Sequence, residues 1–513
     1  MEKKKRKVEK KPKVIDRIKS FLNNDNVLLT LLTVFMIIQP FLDFAPFFVV
    51  KKLELFGFTI PTIIRCLYIG FMLLFLVKKF KYLKNKWLYI TYLGFVIVYF
   101  LIHNYVCKSN INIPSSYKYS TFSEMFYVIR MSFLFIIAYI TYHSKLEFDR
   151  FLKTIFIVSF IIGLGIFITN TFKISFKSYS DNLDLIKYNW LDWNKALIKK
   201  VGFAEFASRG WFYMANQVSA LSMMILCIDL YGLLKRPGKF AYISTFSLII
   251  GMIMLSTRTA SFGWIVCVVF ILVLFFLYKL IFNKTNMKYK NSLYIFMLLP
   301  VSILLFLNSP SLNRVYNYKV SDYEDISTED KKEPDKVEAY LLKNYSKLGI
   351  QKVYIFKIYP YTYDKIFWLD TFEYVKKNGV LDNRAMEINI SKRIAENNNN
   401  ELKYKLFGYS FSRMRNGKNY IEHDFLAQYY TIGIVGILLL IFPYLFVIGL
   451  IIFKMLHNLK NLTMLNTVLC SSIFVAVGVS IFSGHVLDEL FVTLFIGFIF
   501  GFVLKNCKEK GVL

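Results

Sequence analysis

Long apolar runs recur along the chain and are separated by short polar segments. A helix needs about 20 apolar residues to cross about 30 Å of hydrocarbon. The runs predict helices rather than a barrel, because a lipid-facing strand would alternate polar and apolar residues. We predict an all-α polytopic membrane protein of about 12 transmembrane helices, at residues 27–50, 57–77, 87–105, 122–141, 151–170, 211–234, 240–256, 260–281, 291–309, 425–453, 463–482 and 486–504.

The polar segments between these runs predict the orientation of the chain. The N-terminus begins MEKKKRKVEKKPK, and every second segment after it is also basic. Because Lys and Arg concentrate in cytoplasmic loops, one assignment places all of these segments and both termini in the cytoplasm. No cleavable signal peptide is expected, since the first apolar run is too long and lacks a small-residue cleavage site. The basic segments are residues 78–86, 144–153, 235–239, 283–290, 454–460 and 505–510.

This orientation leaves one very long loop on the outer side, between the ninth and tenth helices. Its central stretch is rich in Tyr, Phe and Ile, which predicts short helices that rest on the bilayer or cap the bundle. We therefore divide the chain into a basic cytoplasmic N-terminus (1–26), helices one to nine (27–308), an extracytoplasmic loop domain (309–423), helices ten to twelve (424–504) and a cytoplasmic tail (505–513).

The composition excludes several classes of protein. Of 513 residues, 56% are hydrophobic and only 19% are charged, which excludes a soluble enzyme, a disordered chain and a fibre. A net charge of +30 would suit a nucleic-acid binder, but in so apolar a chain it reflects basic cytoplasmic loops, so no nucleic-acid partner is expected. Six Cys without a C-x-x-C pair predict neither a disulfide framework nor a zinc site.

Arginines at the outer ends of the predicted helices are candidates for function, because charge near hydrocarbon is costly. Arg209 lies where the sixth helix begins, with Asn216 about two turns deeper, and Arg258 lies in the tight turn LSTRTAS. Arg65 and Arg130 lie within apolar runs. A guanidinium group binds phosphate through paired hydrogen bonds. The alternatives are interfacial anchors for the first two arginines and pairing with carboxylates for the other two.

Titratable residues cluster at the start of the tenth helix, where Glu422, His423 and Asp424 follow one another. Burial and mutual coupling there could hold one group near a neutral pKa, as a general base requires. The alternative is a polar helix cap, since acidic residues suit a helix N-terminus. Just upstream, Arg413 and Arg415 add positive charge to the same face.

A final candidate is His485, in the short outer turn SGHVLDE, although a lone His is more often structural. Together these residues predict an outward-facing cavity suited to transfer onto a hydroxyl from a lipid that carries a phosphate or pyrophosphate. Arginines would stabilise the leaving phosphate, and a carboxylate or His would take the hydroxyl proton. Because the sequence has no P-loop, G-x-G-x-x-G or D-x-D motif, we expect no nucleotide, metal or other cofactor.

The motifs at these positions, in this order, resemble the O-antigen ligase/polymerase (Wzy-like) family in its Gram-positive form. The matching pieces are GWFYMANQVSA, LSTRTASFGW, LFGYSF, EHDFLAQYYTIGIVG and SGHVLDEL, and the late large outer loop agrees as well. The resemblance covers most of the chain. Each motif is weak alone, but the ordered set is fairly specific.

The resemblance implies a C-type glycosyltransferase fold, an undecaprenyl-diphosphate-linked glycan as donor, and no metal or nucleotide. It makes Arg209 and Arg258 the pyrophosphate-binding arginines and places the catalytic acid or His at residues 422–424. Related ligases have His, then Asn or Ser, then nine residues before G-x-x-G, whereas eight residues separate Asp424 from Gly433 here. The nearest Gram-positive pattern is Glu-x-Asp-Phe, so the base is Glu422 or Asp424, with His423 incidental, or His423 itself.

These observations predict a bacterial plasma-membrane glycosyltransferase that polymerises lipid-linked repeat units of a capsule, exopolysaccharide or cell-wall glycan on the outer face. The alternatives are a ligase that transfers the finished glycan to another acceptor, a flippase-like transporter, and a scaffold whose charges are only anchors. We favour the polymerase because the Gram-positive relatives lack lipid A as an acceptor. Expected partners are the lipid-linked oligosaccharide, membrane lipid and assembly proteins such as a flippase or a chain-length regulator.

Overall fold

The computed structural model describes residues 21–49, 54–55, 58–81, 83, 86–174, 176, 186–192, 205–309, 325–379 and 381–512. Most of the predicted basic N-terminus, residues 1–20, lies outside the described residues, as does the start of the predicted loop domain at 310–324.

The described chain is helical almost throughout. One small antiparallel hairpin pairs β1 (Glu54–Leu55) with β2 (Phe58–Thr59). In the first half of the chain the helices are α1 (Asp25–Leu42), α2 (Pro46–Val49), α3 (Ile60–Lys81), α4 (Lys86–Lys108), α5 (Thr121–His143), α6 (Phe148–Thr171), α7 (Ala215–Lys235), α8 (Lys239–Leu255), α9 (Arg258–Phe276) and α10 (Ser292–Leu307). In the second half they are α11 (Pro334–Asn344), α12 (Lys365–Asn378), α13 (Asn383–Asn397), α14 (Leu402–Phe407), α15 (Phe411–Gly417), α16 (Asp424–Leu440), α17 (Phe442–His457), α18 (Met464–Phe482) and α19 (Leu490–Glu509).

Helices occupy every one of the predicted spans. Among the described residues, nine helices are long and apolar enough to cross a membrane, and a bent pair brings the number to ten. Two shorter apolar helices, Ile60–Leu74 and Lys239–Leu255, stand at the second and seventh predicted spans. The protein is therefore an all-α polytopic membrane protein, as predicted, while the count of about twelve spans stays a prediction.

The predicted tenth span is broken rather than continuous. Its two parts, α16 and α17, meet at an angle of 41°. Within α16 the backbone of Gly433 leaves the helical region, with φ 70° and ψ −179°. Pro443 near the start of α17 also lacks the N–H group that an uninterrupted helix would use. The apolar run at 425–453 hid this break, because hydropathy reports burial and not backbone direction.

The central helix of the bundle is α7, and its apolar stretch is entirely buried by its neighbours. Its sequence has no distinct polar face, as expected of a helix that other helices surround. Helices α18, α9, α8 and α6 all pack against it. The bundle is therefore built around one helix that begins a few residues after Arg209.

Several of the basic loops share one end of the bundle. Lys145 lies 3.3 Å from Asp25 at the start of α1, and Lys505 near the end of α19 donates hydrogen bonds to the carbonyl oxygens of Ser144 and Leu146. The gathering of these segments at one end agrees with the alternation of charge along the sequence. Which compartment this end faces stays a prediction.

Helices α11 to α15, residues 334–417, form a cap on the opposite end of the bundle. They enclose a second hydrophobic core that includes Trp368, Phe372 and Ile390. The indole Nε1 of Trp368 donates a hydrogen bond of 2.8 Å to the carbonyl of Tyr359. Val106 at the end of α4 belongs to the same core, so the cap packs directly against the bundle and covers this end of it. A separate domain at 309–423 stays a prediction.

Polar contacts fasten the cap to α4 and α5. The guanidinium group of Arg413 donates to the carbonyls of Cys107, Ser109 and Tyr117. The fully buried carboxylate of Glu124 accepts hydrogen bonds from the hydroxyl of Ser410 and the backbone N–H of Ser412, and it pairs with His103. These contacts hold the segment that links α14 to α15 in a fixed position above the bundle.

The cap also touches α16 through two glycines in the left-handed region. Gly408 has φ 82°, and a Cβ on it would lie 2.3 Å from the carbonyl oxygen of Thr431. Gly433 has φ 70°, and a Cβ on it would lie 2.4 Å from the carbonyl oxygen of Leu406. Only glycine fits such a backbone approach without strain.

We expect Gly408→Ala to lower the free energy of unfolding by more than about 1 kcal/mol, because both the positive φ and the contact become unfavourable. Thermal unfolding of the detergent-solubilised protein measures this as a lower Tm. Gly449→Ala is the control, since a Cβ there meets nothing within 4 Å. Equal Tm values for the two variants would show that the cap does not depend on this contact.

Candidate active site

A cavity of about 710 Å³ lies between the cap and the bundle. We call it the cap cavity. Its walls come from α3, α5, the residues just before and at the start of α7, the cap, and the segment between α18 and α19. Its charged lining consists of Arg65, Arg130, Arg209, Arg384, Arg415, Glu387, Glu422, His485, Asp488 and Glu489.

The cap cavity brings together many of the residues that the sequence singled out from distant parts of the chain. Those that line it are Arg65, Arg130, Arg209, Asn216, Arg415, Glu422 and His485. Those that are not among its lining residues are Arg258, Arg413, His423 and Asp424. The roles assigned to all of them stay predictions.

Arg65 and Arg130 lie on neighbouring helices, α3 and α5. Arg65 is 2% exposed, and its Nε donates a hydrogen bond of 2.8 Å to Gln39. Its Nη2 has no hydrogen-bond partner among the described residues. Arg130 lies 3.8 Å from Glu489 and packs over the rings of Tyr127 and Phe411. The first arginine thus keeps an unused donor beside the cavity.

Arg209 reaches the cap cavity from an irregular segment that precedes α7. Gly210 turns this segment with φ 66°, and the backbone N–H of Tyr213 donates to Asp43. Asp43 is buried beside Arg65 just after α1 ends. A single acidic residue therefore fixes the segment that carries Arg209 and stands next to Arg65.

Arg258 is the first residue of α9, and its side chain is exposed. The neighbouring residue Thr257 does line the cap cavity, and its hydroxyl hydrogen-bonds to that of Ser219. Thr257 also caps α9 by accepting from the N–H of Ala260. The turn LSTRTAS is therefore next to the cavity, but it presents a hydroxyl there rather than its guanidinium group.

The three titratable residues at 422–424 point in three directions. The carboxylate of Glu422 lines the cavity and accepts a hydrogen bond of 2.8 Å from Arg384. The imidazole of His423 lies 2.8 Å from the carbonyl of Ile481. Asp424 is 1% exposed and accepts three backbone N–H groups from the turn before α19. Only Glu422 of the three is placed to meet a substrate in the cavity.

The family of this protein follows from its sequence as a whole. The family model described as O-antigen ligase like membrane protein matches residues 25–510. The chain belongs to this family. No curated protein and no solved structure matches it. The match confirms the family resemblance found in the motifs, while the Wzy-like, Gram-positive form stays a prediction. It indicates a multi-pass membrane enzyme that processes lipid-linked glycans.

Two residues of this O-antigen ligase-like protein were missed in the sequence, Arg384 and Glu387, which both lie on α13 of the cap. Arg384 also donates to the carbonyl of Phe482 at the end of α18. Glu387 accepts hydrogen bonds from the hydroxyl of Tyr354 and the N–H of Glu422. Their spacing of three residues puts them on one face of the helix. Nothing else in the sequence distinguishes them from the other charges of the cap.

Glu387 is 7% exposed and stands beside Glu422. Burial and the nearby Glu422 carboxylate raise the pKa of Glu387 to about 8, although the Tyr354 hydroxyl lowers it. The carboxyl of Glu387 therefore keeps its proton near neutral pH.

The pKa of Glu387 predicts a pH-dependent stability. The folded ligase-like protein holds this proton more tightly than the unfolded chain, so the stabilisation is complete below pH 4.5 and is lost as the pH rises through about 8. We expect the Tm to fall over this range in the wild type and to fall less in Glu387→Gln, whose amide does not titrate. Glu401→Gln, an exposed cap residue, is the control. Identical pH profiles for all three proteins would contradict the buried, protonated state.

One group in the ligase-like protein has the residue types of a metal site. Ligand atoms of His485, Asp488 and Glu489 all lie within 4.8 Å of one another. Arg130, however, already lies 3.8 Å from Glu489, so a positive charge is present at this position. The lining of five arginines suits an anionic group better than a cation. That the reaction needs no metal stays a prediction.

Proposed function

We propose that this protein polymerises undecaprenyl-diphosphate-linked repeat units of a capsule, exopolysaccharide or cell-wall glycan on the outer face of the plasma membrane. The observation that carries the proposal is the cap cavity, in which arginines from the bundle face a partly exposed carboxylate, Glu422, beneath the cap. The proposal assigns the cap to the outer side and both termini to the cytoplasm.

The bundle side of the cap cavity would bind the diphosphate of the donor. Arg65, Arg130 and Arg209 come from three separate parts of the chain and line this side. Guanidinium groups held in place beforehand stabilise the negative charge that develops on a leaving diphosphate, and they need no reorganisation during the reaction. The apolar lipid chain would remain in the surrounding bilayer.

The cap side would bind the acceptor sugar. Glu422 takes the proton from the acceptor hydroxyl as its oxygen attacks the anomeric carbon of the donor. The bond between that carbon and the diphosphate oxygen breaks, a glycosidic bond forms, and lipid diphosphate leaves with the electron pair. Arg384 holds the Glu422 carboxylate at 2.8 Å, which fixes its direction.

The same chemistry serves a ligase, which differs only in its acceptor. We favour the polymerase because the Gram-positive form of the family, which the motifs resemble, lacks lipid A as an acceptor. A flippase for the same glycan would move it across the bilayer without breaking a bond. The arginines described at the cavity gather at the cap end of the bundle, which favours a transferase over a transport path.

The test uses purified protein in liposomes with a lipid-linked repeat unit from the polysaccharide of the source bacterium. A ladder of products on a gel, absent with Glu422→Gln and retained with Glu401→Gln and in EDTA, is the expected result. Transfer only after a second acceptor is added would mean a ligase. Translocation of intact lipid-linked glycan without transfer would mean a flippase. A ladder that disappears with EDTA and returns with a divalent ion would overturn the metal-free mechanism.

A further inference from the structure

The turn between α18 and α19, residues 483–489, is held by hydrogen bonds to one carboxylate, that of Asp424. Both side-chain oxygens of Asp424 accept backbone hydrogen bonds, from the N–H of His485 at 2.6 Å, of Val486 at 2.8 Å and of Leu487 at 2.7 Å. The residue is 1% exposed and is not among the residues that line the cap cavity. Its lone pairs are directed at the turn, so it is not placed to take a proton from a substrate.

The turn also lies directly against Glu422. A Cβ on Gly484 would stand 2.5 Å from the Cα of Glu422, so only glycine allows this approach. The next residue, His485, has φ 65°, a strained value for a residue with a side chain. Such a conformation persists where the surroundings enforce it, and the bond from the His485 N–H to Asp424 does so.

The enforced conformation directs the imidazole of His485 into the cap cavity. The ring lies 6.3 Å from that of Tyr420, and its Nδ1 faces Asp488 at 3.9 Å. Burial alone lowers the pKa of His485, but the carboxylates of Asp488, Asp424 and Glu489 outweigh it and raise that pKa to about 10. The imidazole is therefore protonated near neutral pH and carries an N–H donor on Nε2 as well as on Nδ1.

We propose that Asp424 is a positioning residue, which holds the turn 483–489 so that the His485 imidazolium donates a hydrogen bond to the diphosphate of the lipid-linked substrate. This proposal rests on the proposed function. It adds a fourth cationic group to the three bundle arginines. It also assigns two members of the 422–424 cluster different tasks, with Glu422 facing the substrate and Asp424 acting through another residue.

The test is a double-mutant cycle on the affinity for undecaprenyl diphosphate, the product that leaves. Binding to the purified, detergent-solubilised full chain is measured for the wild type, Asp424→Asn, His485→Ala and the double variant. We expect each single variant to raise the Kd about tenfold and the double variant to be no weaker than the weaker single one, because both changes remove the same contact. His485→Gln, which keeps an N–H donor, should recover part of the affinity.

The proposal would be wrong if the double variant raised the Kd by the product of the two single effects. It would also be wrong if His485→Ala left the Kd unchanged. Should Asp424→Asn fail to fold, Asp424→Glu keeps a carboxylate but displaces it by one methylene, and the same cycle applies. The His485→Ala and His485→Gln pair decides the diphosphate contact on its own. Wild-type protein that binds lipid diphosphate yet makes no ladder would refute the proposed function alone. If the wild type makes a ladder but the effects of the two substitutions on binding free energy are additive, only the positioning role of Asp424 is refuted.

Discussion

Glu422→Gln is expected to lower the rate of glycan transfer by about 10²–10⁴-fold, the usual contribution of a general base. Glutamine has nearly the same shape and can still accept the hydrogen bond from Arg384, but it cannot take a proton. The loss should therefore fall on kcat, with little change in KM for the lipid-linked donor. Initial rates in proteoliposomes at several donor concentrations measure both constants.

Two further variants serve as controls for this one. His423→Ala removes an imidazole that meets the carbonyl of Ile481, so transfer should remain close to that of the wild type. Glu401→Gln changes an exposed carboxylate of the cap and should have no effect. A full ladder from Glu422→Gln, together with its loss in His423→Ala, would move the base to the imidazole.

Arg209→Ala is expected to lower kcat/KM by about 10²–10³-fold, as the loss of one group that stabilises a developing negative charge usually does. Arg209→Lys should be nearly as poor, because an ammonium group lacks the planar fork that binds two phosphate oxygens at once. Rates in proteoliposomes and the Kd for undecaprenyl diphosphate both report on this contact.

Arg258→Ala is the matched comparison, since it removes the same group from an exposed position outside the lining of the cap cavity. We expect a smaller loss than for Arg209→Ala. An equal or larger loss would give Arg258 the diphosphate role that the family resemblance implies. It would then follow that the turn before α9 moves when the donor binds.

The local features of the chain could be predicted from the sequence, because each depends only on a short segment. Hydropathy over about 20 residues predicts where helices lie in a membrane. The alternation of basic loops agreed with the gathering of Asp25, Lys145 and Lys505 at one end of the bundle. Arginines at helix ends or within apolar runs were conspicuous against apolar surroundings. Arg65, Arg130 and Arg209 were found in this way and do line one cavity.

The sequence alone thus determined an all-α membrane protein of the O-antigen ligase-like family, with a late cap and an arginine-lined site at one end. Only the tertiary structure decided which groups share that site. Arg384 and Glu387 join it through contacts between α13 and residues far along the chain, to which no local pattern is sensitive. The sequence also did not show where the side chains of residues 422–424 point. Backbone geometry at the start of a helix sends consecutive side chains in different directions. Their order in the chain therefore does not say which one faces the cavity.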